Sequence, residues 1–233
     1  MRVNDIMESQ YTDLNAQYAT KAETYYELSR PEMVEFIPES AKKVLEVGCS
    51  GGGFGALLKK ERPDVEVWGI EPSEDVAGKA SEKLDKVICG TFQAGLAELQ
   101  GQKFDCIVFN DVLEHLVNPE IALKDSKQYL SENGTVVASI PNILHFYQIW
   151  AILKDQDWKY EESGILDNTH LRFFTKKSIL RLFENCGYEV TRLDGINPSY
   201  GHTFSIFRLF TLGHISDWKY VQFAIQAKSV IAI

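Results

Sequence analysis

The chain has 233 residues, 45% of them hydrophobic, and its 24 Lys and Arg against 33 Asp and Glu give a formal net charge of −9. This globular composition excludes a disordered chain and a collagen-like fibre, and the length predicts one domain with insertions. The acidic excess gives the chain no general attraction for nucleic acid or anionic lipid, which bind through surplus Lys and Arg.

Strand-like and helix-like runs alternate along the chain from Lys42 onward. The predicted strands span residues 42–49, 66–72, 86–90, 104–110, 135–140, 188–193 and 218–227. The predicted helices span residues 54–62, 73–84, 119–130 and 176–185. Ser73, Asn118 and Thr175 are the predicted N-caps, and Asn133-Gly134 is expected to close the third helix. Repeated strand-helix-strand units predict an α/β fold in which a parallel sheet carries helices on both faces.

A glycine-rich turn follows the first predicted strand, in the sequence from Val44 to Gly55. Glycines allow a ligand to lie against the backbone, and the start of a helix offers free N–H groups to an anion. The turn matches the dinucleotide pattern G-x-G-x-x-A only weakly, because the match begins three residues late. A P-loop is excluded, because no Gly-Lys-Ser/Thr sequence follows.

Two carboxylates indicate which ligand the turn accepts. Glu46 directs a negative charge to the ligand, which suits an amino group and disfavours a pyrophosphate. Glu71, at the end of the second predicted strand, is placed to accept hydrogen bonds from both hydroxyls of a ribose. A ligand with a ribose, an ammonium group, a carboxylate and no phosphate fits both, and S-adenosylmethionine (SAM) is such a ligand.

Residues 44–55, 69–72, 104–115 and 134–142 resemble four motifs, in the right order, of class I SAM-dependent methyltransferases, in particular the ubiquinone-type O-methyltransferases. The resemblance covers roughly residues 42–141. It implies a Rossmann-like, doubly wound, mostly parallel seven-stranded sheet whose last strand is antiparallel. It also implies that the cofactor contacts Gly48, Ser50, Gly51, Glu71, Pro72, Asn110 and Asp111. In similar proteins a leading segment folds over the cofactor, so Tyr26 and Arg30 are expected at the methionine carboxylate, unless residues 14–37 form only a surface helix.

One position departs from the family pattern. Many relatives bind the adenine amino group with an acidic residue after the third strand, where this chain has Gly90-Thr91-Phe92-Gln93. A backbone carbonyl, Thr91 or Gln93 could replace it, with Phe92 against the adenine; otherwise the cofactor is held more weakly. A relative that no longer binds the cofactor is the remaining alternative.

Candidate catalytic residues follow the fourth predicted strand. His115 is a candidate general base, because the pKa of histidine lies near neutrality, although it could equally pack beneath the site. On a helical turn, Asp111, Glu114 and His115 would share one face, and Asp-x-x-Glu also fits a capping box. The run resembles that of metal-dependent O-methyltransferases acting on ubiquinone precursors or on small-RNA 2′-hydroxyls, the latter with a later histidine that resembles His170. This resemblance implies Mg²⁺ or Mn²⁺ on Asp111, Glu114, His115 and His170, whereas His170 is otherwise expected to face the substrate or to make structural hydrogen bonds.

Two long connections, residues 142–174 and 197–216, are expected to select the substrate. They contain 11 of the 27 aromatic residues, which could line a pocket or form a homodimer interface. Residues 143–153 could also lie on a membrane, but no Lys or Arg cluster flanks them. The connections carry few basic residues, so a small, sugar or lipid-like acceptor is favoured over nucleic acid.

The chain is expected to remain in the cytoplasm. Residues 1–15 lack the apolar core of a signal peptide, and residues 143–153 are about half as long as a transmembrane helix. Cys49, Cys89, Cys106 and Cys186 form no Cys-x-x-Cys pair and are predicted to be buried free thiols.

The sequence therefore predicts a single methyltransferase domain, residues 1–233. Residues 1–41 form its helical cap, residues 42–141 bind the cofactor, and the two connections are substrate-side insertions. The predicted reaction is O-methylation, in preference to N-methylation. A non-catalytic SAM-binding module stays open, and a dinucleotide-dependent oxidoreductase is disfavoured by Glu46 and by the shifted glycines.

Overall fold

A computed structural model describes residues 29–230 as one sheet flanked by helices. The sheet has seven strands in the order β3-β2-β1-β4-β5-β7-β6. They are β1 (Lys43–Val47), β2 (Glu66–Glu71), β3 (Lys86–Cys89), β4 (Phe104–Asn110), β5 (Leu130–Pro141), β6 (Tyr188–Pro198) and β7 (Tyr220–Ser229). Only β7 is antiparallel to its neighbours, β5 and β6. This confirms the predicted Rossmann-like sheet with its last strand antiparallel.

The α-helices of the described residues alternate with the strands. They are α1 (Gly53–Glu61), α2 (Glu74–Ser81), α3 (Phe92–Gly95), α4 (Pro119–Ser126), α5 (Phe146–Asp155), α6 (Lys176–Asn185) and α7 (His202–Phe210). Short 3₁₀ turns span Pro31–Phe36, Leu96–Leu99, Leu113–His115, Lys127–Tyr129 and Ser216–Lys219. Thr175 caps α6 in a capping box with Ser178, as predicted for this cap. Ser73 and Asn118 precede their helices but make no side-chain cap hydrogen bond.

The core lies on both faces of the parallel strands, because alternate side chains of a strand point to opposite faces. On β4, Ile107 and Phe109 join one hydrophobic cluster, while Cys106 and Val108 join the other. All four side chains are inaccessible to solvent. This explains why β4 reads as a continuous apolar run.

The third predicted helix was too long, and the fifth predicted strand too short. Helix α4 ends at Ser126, whose hydroxyl donates to the carbonyl of Ala122 (2.7 Å). Leu130 already pairs with Phe104, so β5 begins five residues before the prediction. Gly134 lies inside this strand and does not close a helix. Its place beside a register shift between Phe104 and Cys106 explains the misleading turn signal.

The two long connections contain structure of their own. The first is closed at its base, because Asn142 and Phe174 form a β-bridge and the Ile143 amide donates to the Phe174 carbonyl (2.9 Å). The second is shorter than predicted, since β6 continues to Pro198. Helices α5 and α7 pack together through Phe146, whose ring lies 5.4 Å from that of Phe204.

Three further predictions concern exposure and the chain start. Within residues 29–230, no helix is long and apolar enough to cross a membrane. All four cysteines are free thiols, but Cys89 is exposed at the end of β3, where the prediction placed it in the interior. Tyr26 and most of the predicted N-terminal cap lie outside the described residues.

Candidate functional site

A cavity of about 750 Å³ opens at the carboxyl edge of the sheet. Its walls come from the ends of β1, β2 and β4, from the loop after β3, and from residues 163–170 of the first long connection. Ligands of open α/β sheets bind at this edge, where strand order reverses. The sheet reverses between β1 and β4, so the cavity lies where the fold predicts it.

The glycine turn forms the floor of this cavity. Gly48 has a φ of +67°, and a Cβ at this position would lie 2.6 Å from a methyl carbon of Val112. The amides of Gly48 and Cys49 donate to the Ile70 carbonyl at 2.8 and 3.0 Å, which fixes the turn against β2. The next residue, Ser50, also has a positive φ, of 52°. Position 48 therefore requires glycine, because any other residue would combine a strained backbone conformation with a steric clash.

Glu71 is held in place by two backbone amides. Its Oε2 accepts from the Ser50 amide and its Oε1 accepts from the Ser73 amide, each at 3.0 Å. Burial raises the pKa of this carboxyl, and the two N–H groups partly oppose that shift. The carboxylate is thus fixed at the cavity wall, with lone pairs left for a ligand.

Glu46 and Asn110 bring unsatisfied polar atoms to the same cavity. Burial raises the pKa of Glu46 to about 8, and one of its oxygens has no hydrogen-bond partner among the described residues. Asn110 ends β4, and neither its Oδ1 nor its Nδ2 has such a partner. Buried polar atoms are rarely left unpaired, so these atoms indicate where a polar ligand binds.

Arg30 and Asp111 both line the cavity, but they bind each other in this structure. Arg30 Nη1 lies 2.5 Å from Asp111 Oδ2, and its Nη2 donates to Gln222 Oε1 (3.2 Å). Gln222 Nε2 in turn donates to Asp111 Oδ1 (2.6 Å). Asp111 has a φ of +54°, and the following turn, Leu113–His115, is 3₁₀ with no side-chain cap. The predicted helical face and the capping box are therefore both wrong.

The other predicted cofactor residues differ in their relation to the cavity. Pro72, Thr91 and Phe92 line it. The Thr91 hydroxyl caps α3 by accepting from the Ala94 amide (3.1 Å). Gly51 does not line the cavity, and its carbonyl instead accepts from Lys83 Nζ (2.6 Å).

His115 and His170 both line the cavity and contact each other, with ring centroids 4.6 Å apart. His115 Nδ1 lies 3.2 Å from the carbonyl of Thr169, and His170 Nδ1 lies 3.0 Å from that of Ile165. A carbonyl oxygen can only accept, so each Nδ1 carries the hydrogen. The Thr169 hydroxyl, also 3.2 Å from His115 Nδ1, donates its own hydrogen to Asp167 Oδ1 (2.6 Å). With the hydrogen on Nδ1, an uncharged imidazole carries its lone pair on Nε2.

Glu114 completes this group. Its Oε1 lies 4.0 Å from His170 Nε2, and neither carboxyl oxygen has a hydrogen-bond partner among the described residues. Burial, reinforced by the charge of Asp111, raises its pKa well above the usual value. One ligating atom each from Glu114, His115 and His170 falls within 4.8 Å of the others, a group that Asp111 does not join. We call these three residues the Glu-His-His cluster.

The family assignment follows from a comparison with known sequences. The sequence model of the family described as Methyltransferase domain matches residues 18–193, more than half of the chain. The chain belongs to this methyltransferase family. A ubiquinone biosynthesis O-methyltransferase of Azoarcus sp. (strain BH72) is 27% identical over 191 residues, which cover 78% of this chain and 77% of that protein.

Solved methyltransferase structures share the fold. A SAM dependent methyltransferase from Archaeoglobus fulgidus has a TM-score of 0.66 and 17% identity, covering 94% of this chain and 100% of that one. A plantazolicin methyltransferase in complex with SAH has a TM-score of 0.60 and 16% identity, covering 96% and 91%. These structures show the shared fold, and the family match identifies the protein as a SAM-dependent methyltransferase.

Sequence reasoning missed three polar residues in and around this cavity. Gln222 lies in β7, more than 100 residues from Asp111, and no local pattern connects them. Asp167 and Thr169 precede His170 and fix His115, but they read as ordinary loop residues. The signal that could have found them is the run of polar residues 167–170 between the apolar residues Leu166 and Leu171. Leu166 is buried in the structure, and the polar run apart from Asn168 is buried with it.

The backbone places His170 beside Glu114. The carbonyl of Glu114 accepts from the amides of Leu171 and Arg172, at 2.9 and 3.0 Å. Arg172 Nη2 donates to the Val117 carbonyl (2.6 Å). These contacts bind the end of the first connection to the 3₁₀ turn that carries two of the cluster residues.

Proposed function

We propose that this methyltransferase transfers the methyl group of SAM to an oxygen of a small acceptor. The observation that carries the proposal is the Glu-His-His cluster, which shares one cavity with Glu71 and Asn110. Two imidazole lone pairs and a carboxyl beside a SAM site form an environment that removes a proton from a hydroxyl. A thioether or a free amine acceptor needs no such group.

The cofactor is proposed to follow the class I arrangement. The ribose hydroxyls bind Glu71, the ammonium group lies by Glu46, and the methionine part lies along Gly48, Ser50 and Asn110. The adenine lies along Thr91 and Phe92, and the methionine carboxylate draws Arg30 away from Asp111. Tyr26 and Gly51 stay predictions for the same cofactor.

The chemical step is an in-line displacement at the methyl carbon. The acceptor hydroxyl gives its proton to an Nε2 lone pair, from His115 or His170. Its oxygen forms the new bond to the methyl carbon as the carbon–sulfur bond breaks, and the electron pair of that bond stays on sulfur. Most of the acceleration comes from holding oxygen, carbon and sulfur in line.

The acceptor is proposed to be small, and apolar or sugar-like. Leu116, Val117, Ile121 and Ile165 line the cavity near the cluster. Such a wall accepts a ring or a short hydrocarbon better than a phosphate backbone. The ubiquinone biosynthesis relative supports oxygen as the target. We propose the same single domain as the sequence predicts, with both long connections on the substrate side.

The test combines binding and turnover of the full chain. Calorimetry with SAH should show binding, and the same titration with NAD should not. Methyl transfer from labelled SAM to a panel of phenols, catechols, sugars and apolar alcohols should then identify the acceptor class. SAH binding with no transfer to any acceptor, in the panel or in cell-extract fractions, would instead support a non-catalytic module.

Catalytic roles are tested by replacing each histidine. Replacing the histidine that accepts the proton should lower kcat by about 100-fold or more, while SAH affinity stays within about twofold, so His170→Ala and His115→Ala together identify the base. His214→Ala is the matched control, because this exposed histidine lies outside the cavity and should leave kcat unchanged. Full turnover in both cavity variants would remove the two histidines from the mechanism.

A divalent metal ion is a second candidate, favoured by the unpaired oxygens of Glu114. The residues fit such an ion: both histidines donate Nδ1–H to backbone carbonyls, which is the usual support of metal-binding imidazoles. An ion on the cluster would lower the pKa of an acceptor hydroxyl. Two imidazoles and one carboxylate suit Mn²⁺ or Zn²⁺ better than Mg²⁺, which prefers oxygen ligands.

Metal binding is tested apart from turnover. Titration of the metal-free protein with Mn²⁺, followed by electron paramagnetic resonance, should show one bound ion per chain in the wild type and none in Glu114→Gln. Asp111→Asn is the control, because Asp111 does not join the cluster, and it should retain the ion. An unchanged Mn²⁺ spectrum in the wild type would exclude this candidate.

A further inference from the structure

Helices α5 and α7 expose a large apolar surface. Outward side chains of these helices and of the turn after α7 define what we call the α5–α7 face: Trp150, Leu153, Ile206, Leu209, Phe210 and Leu212. Leu209, Phe210 and Leu212 are 75%, 81% and 86% exposed, and the other three are between 42% and 67% exposed. Large apolar side chains so exposed and so close in sequence are unusual for a monomer.

The two helices that carry the α5–α7 face contact each other. The rings of Trp150 and Phe207 lie 5.4 Å apart across the two helices. Beneath them, Phe146, Phe204 and Ile215 form a small hydrophobic cluster of their own. Because the helices share this buried support, their outward side chains keep a fixed arrangement that a partner can recognise.

The charge of the α5–α7 face favours a second copy of this chain. Helices α5 and α7 contain a single acidic residue, Asp155 at the end of α5, which lies 3.8 Å from Lys154, although the chain has 33 acidic residues and a net charge of −9. Two copies with this charge repel each other least where the surfaces in contact carry few unpaired carboxylates. Lys154 in α5 and Arg208 in α7 are the only Lys or Arg residues of the two helices. Membrane-surface helices carry many more, whereas protein interfaces combine aromatic residues with an occasional Arg and few other charges.

The exposed area also fits a dimer. A large side chain offers about 150–250 Å² when fully accessible. At the exposures given above, the six side chains present on the order of 800 Å², which is what one partner of a stable complex buries. A typical monomer shows a largest apolar patch of roughly 300–600 Å².

We propose that the α5–α7 face is covered by the same face of a second copy, forming a two-fold dimer. In such a contact the same side chains are buried on both copies. The proposal does not depend on the identity of the acceptor, so it stands or fails separately from the proposed function. Because both helices follow strands that end at the carboxyl edge, the contact lies at the same edge as the cavities.

Sedimentation equilibrium of the full chain tests the dimer. The wild type should have the mass of two copies at micromolar concentration. The double variant Leu209→Glu/Leu212→Glu should have the mass of one copy, with a dimer dissociation constant raised at least about 100-fold. Both side chains are highly exposed, so the double variant should stay folded as a monomer. It should still unfold cooperatively on heating and bind SAH with the wild-type affinity.

Val230→Glu is the matched control, because Val230 is 52% exposed and lies outside the α5–α7 face. It introduces the same charge and should leave the dimer intact. A wild-type protein that sediments as one copy at all concentrations would overturn the proposal. Co-sedimentation of a monomer with phosphatidylcholine vesicles, lost in the double variant, would overturn it in favour of a membrane surface.

Discussion

Gly48 shows how closely the glycine turn is packed. Replacing it with Ala introduces a Cβ 2.6 Å from Val112 at a φ of +67°. We expect Gly48→Ala to lower the free energy of unfolding by about 1–3 kcal/mol and to weaken SAH binding at least about tenfold. Denaturant unfolding and calorimetry measure the two effects.

Gly78→Ala provides the control for this substitution. Gly78 lies inside α2, and a Cβ there meets no atom within 4 Å. Because Ala favours helix more than Gly does, this variant should gain about 0.5–1 kcal/mol of stability. Equal effects of the two substitutions would show that the turn has no special conformation.

The raised pKa of Glu46 should make the free energy of unfolding depend on pH. Its pKa is 4.5 in the unfolded chain and about 8 in the folded protein, mainly because of burial. Between these values the folded protein holds a proton that the unfolded chain has lost. Rising pH therefore favours unfolding, and the free energy of unfolding should fall from pH 5 to pH 8 by up to a few kcal/mol. Denaturant unfolding of the cofactor-free protein at several pH values measures this fall.

Glu46→Gln isolates the contribution of this residue, because glutamine keeps the size of the side chain and does not titrate. The variant should lose less stability than the wild type over the same pH range. Glu71 and Glu114 also have raised pKa values, so some slope should persist. Identical slopes in variant and wild type would show that Glu46 titrates normally.

Among the elements, helix α6 depends on its N-terminal cap. The Thr175 hydroxyl accepts from the Ser178 amide (3.2 Å), and the Ser178 hydroxyl accepts from the Thr175 amide (2.8 Å). Thr175→Ala should cost about 1 kcal/mol and lower the Tm by roughly 2–4 °C. Asn118→Ala, at a helix start with no side-chain cap bond, should change the Tm less, and differential scanning calorimetry compares the two.

The sequence was most informative where an element is determined by its own residues. The apolar run of β4, the glycine turn and the Thr175 cap are local signals, and each predicted its element correctly. The start of β5 at Leu130 was missed, because it depends on pairing with Phe104. Tertiary pairing can override a turn signal such as Asn133-Gly134.

The residues of the site fall into the same two groups, those set by local sequence and those set by tertiary contacts. Glu71 and Asn110 could be placed from sequence, because strand ends in a parallel sheet meet at one edge. The partner of Arg30 could not, because Asp111, Gln222 and the positive φ at Asp111 come together only in the folded chain. The same holds for the ring orientation of His115, which depends on a backbone carbonyl 54 residues later.

At the scale of the whole molecule, binding of the reaction product SAH in the cavity should stabilise the folded protein. A ligand that binds only the folded protein adds about 2.7 kcal/mol at 100 times its dissociation constant, which should raise the Tm by roughly 5–10 °C. SAH should produce this rise because it satisfies polar atoms that Glu46 and Asn110 leave unpaired. Thermal denaturation with NAD at the same concentration is the control, and an equal rise would contradict a SAM site.

The closed base of the first long connection makes that segment replaceable as a unit. Its ends meet at the bridge between Asn142 and Phe174, and the amides of Leu171 and Arg172 hold the end that carries His170. Residues between about 146 and 160 can therefore change in length or sequence without moving this histidine. Evolution or protein engineering can therefore alter the part of the α5–α7 face that lies here while the proposed proton-removing residues keep their positions.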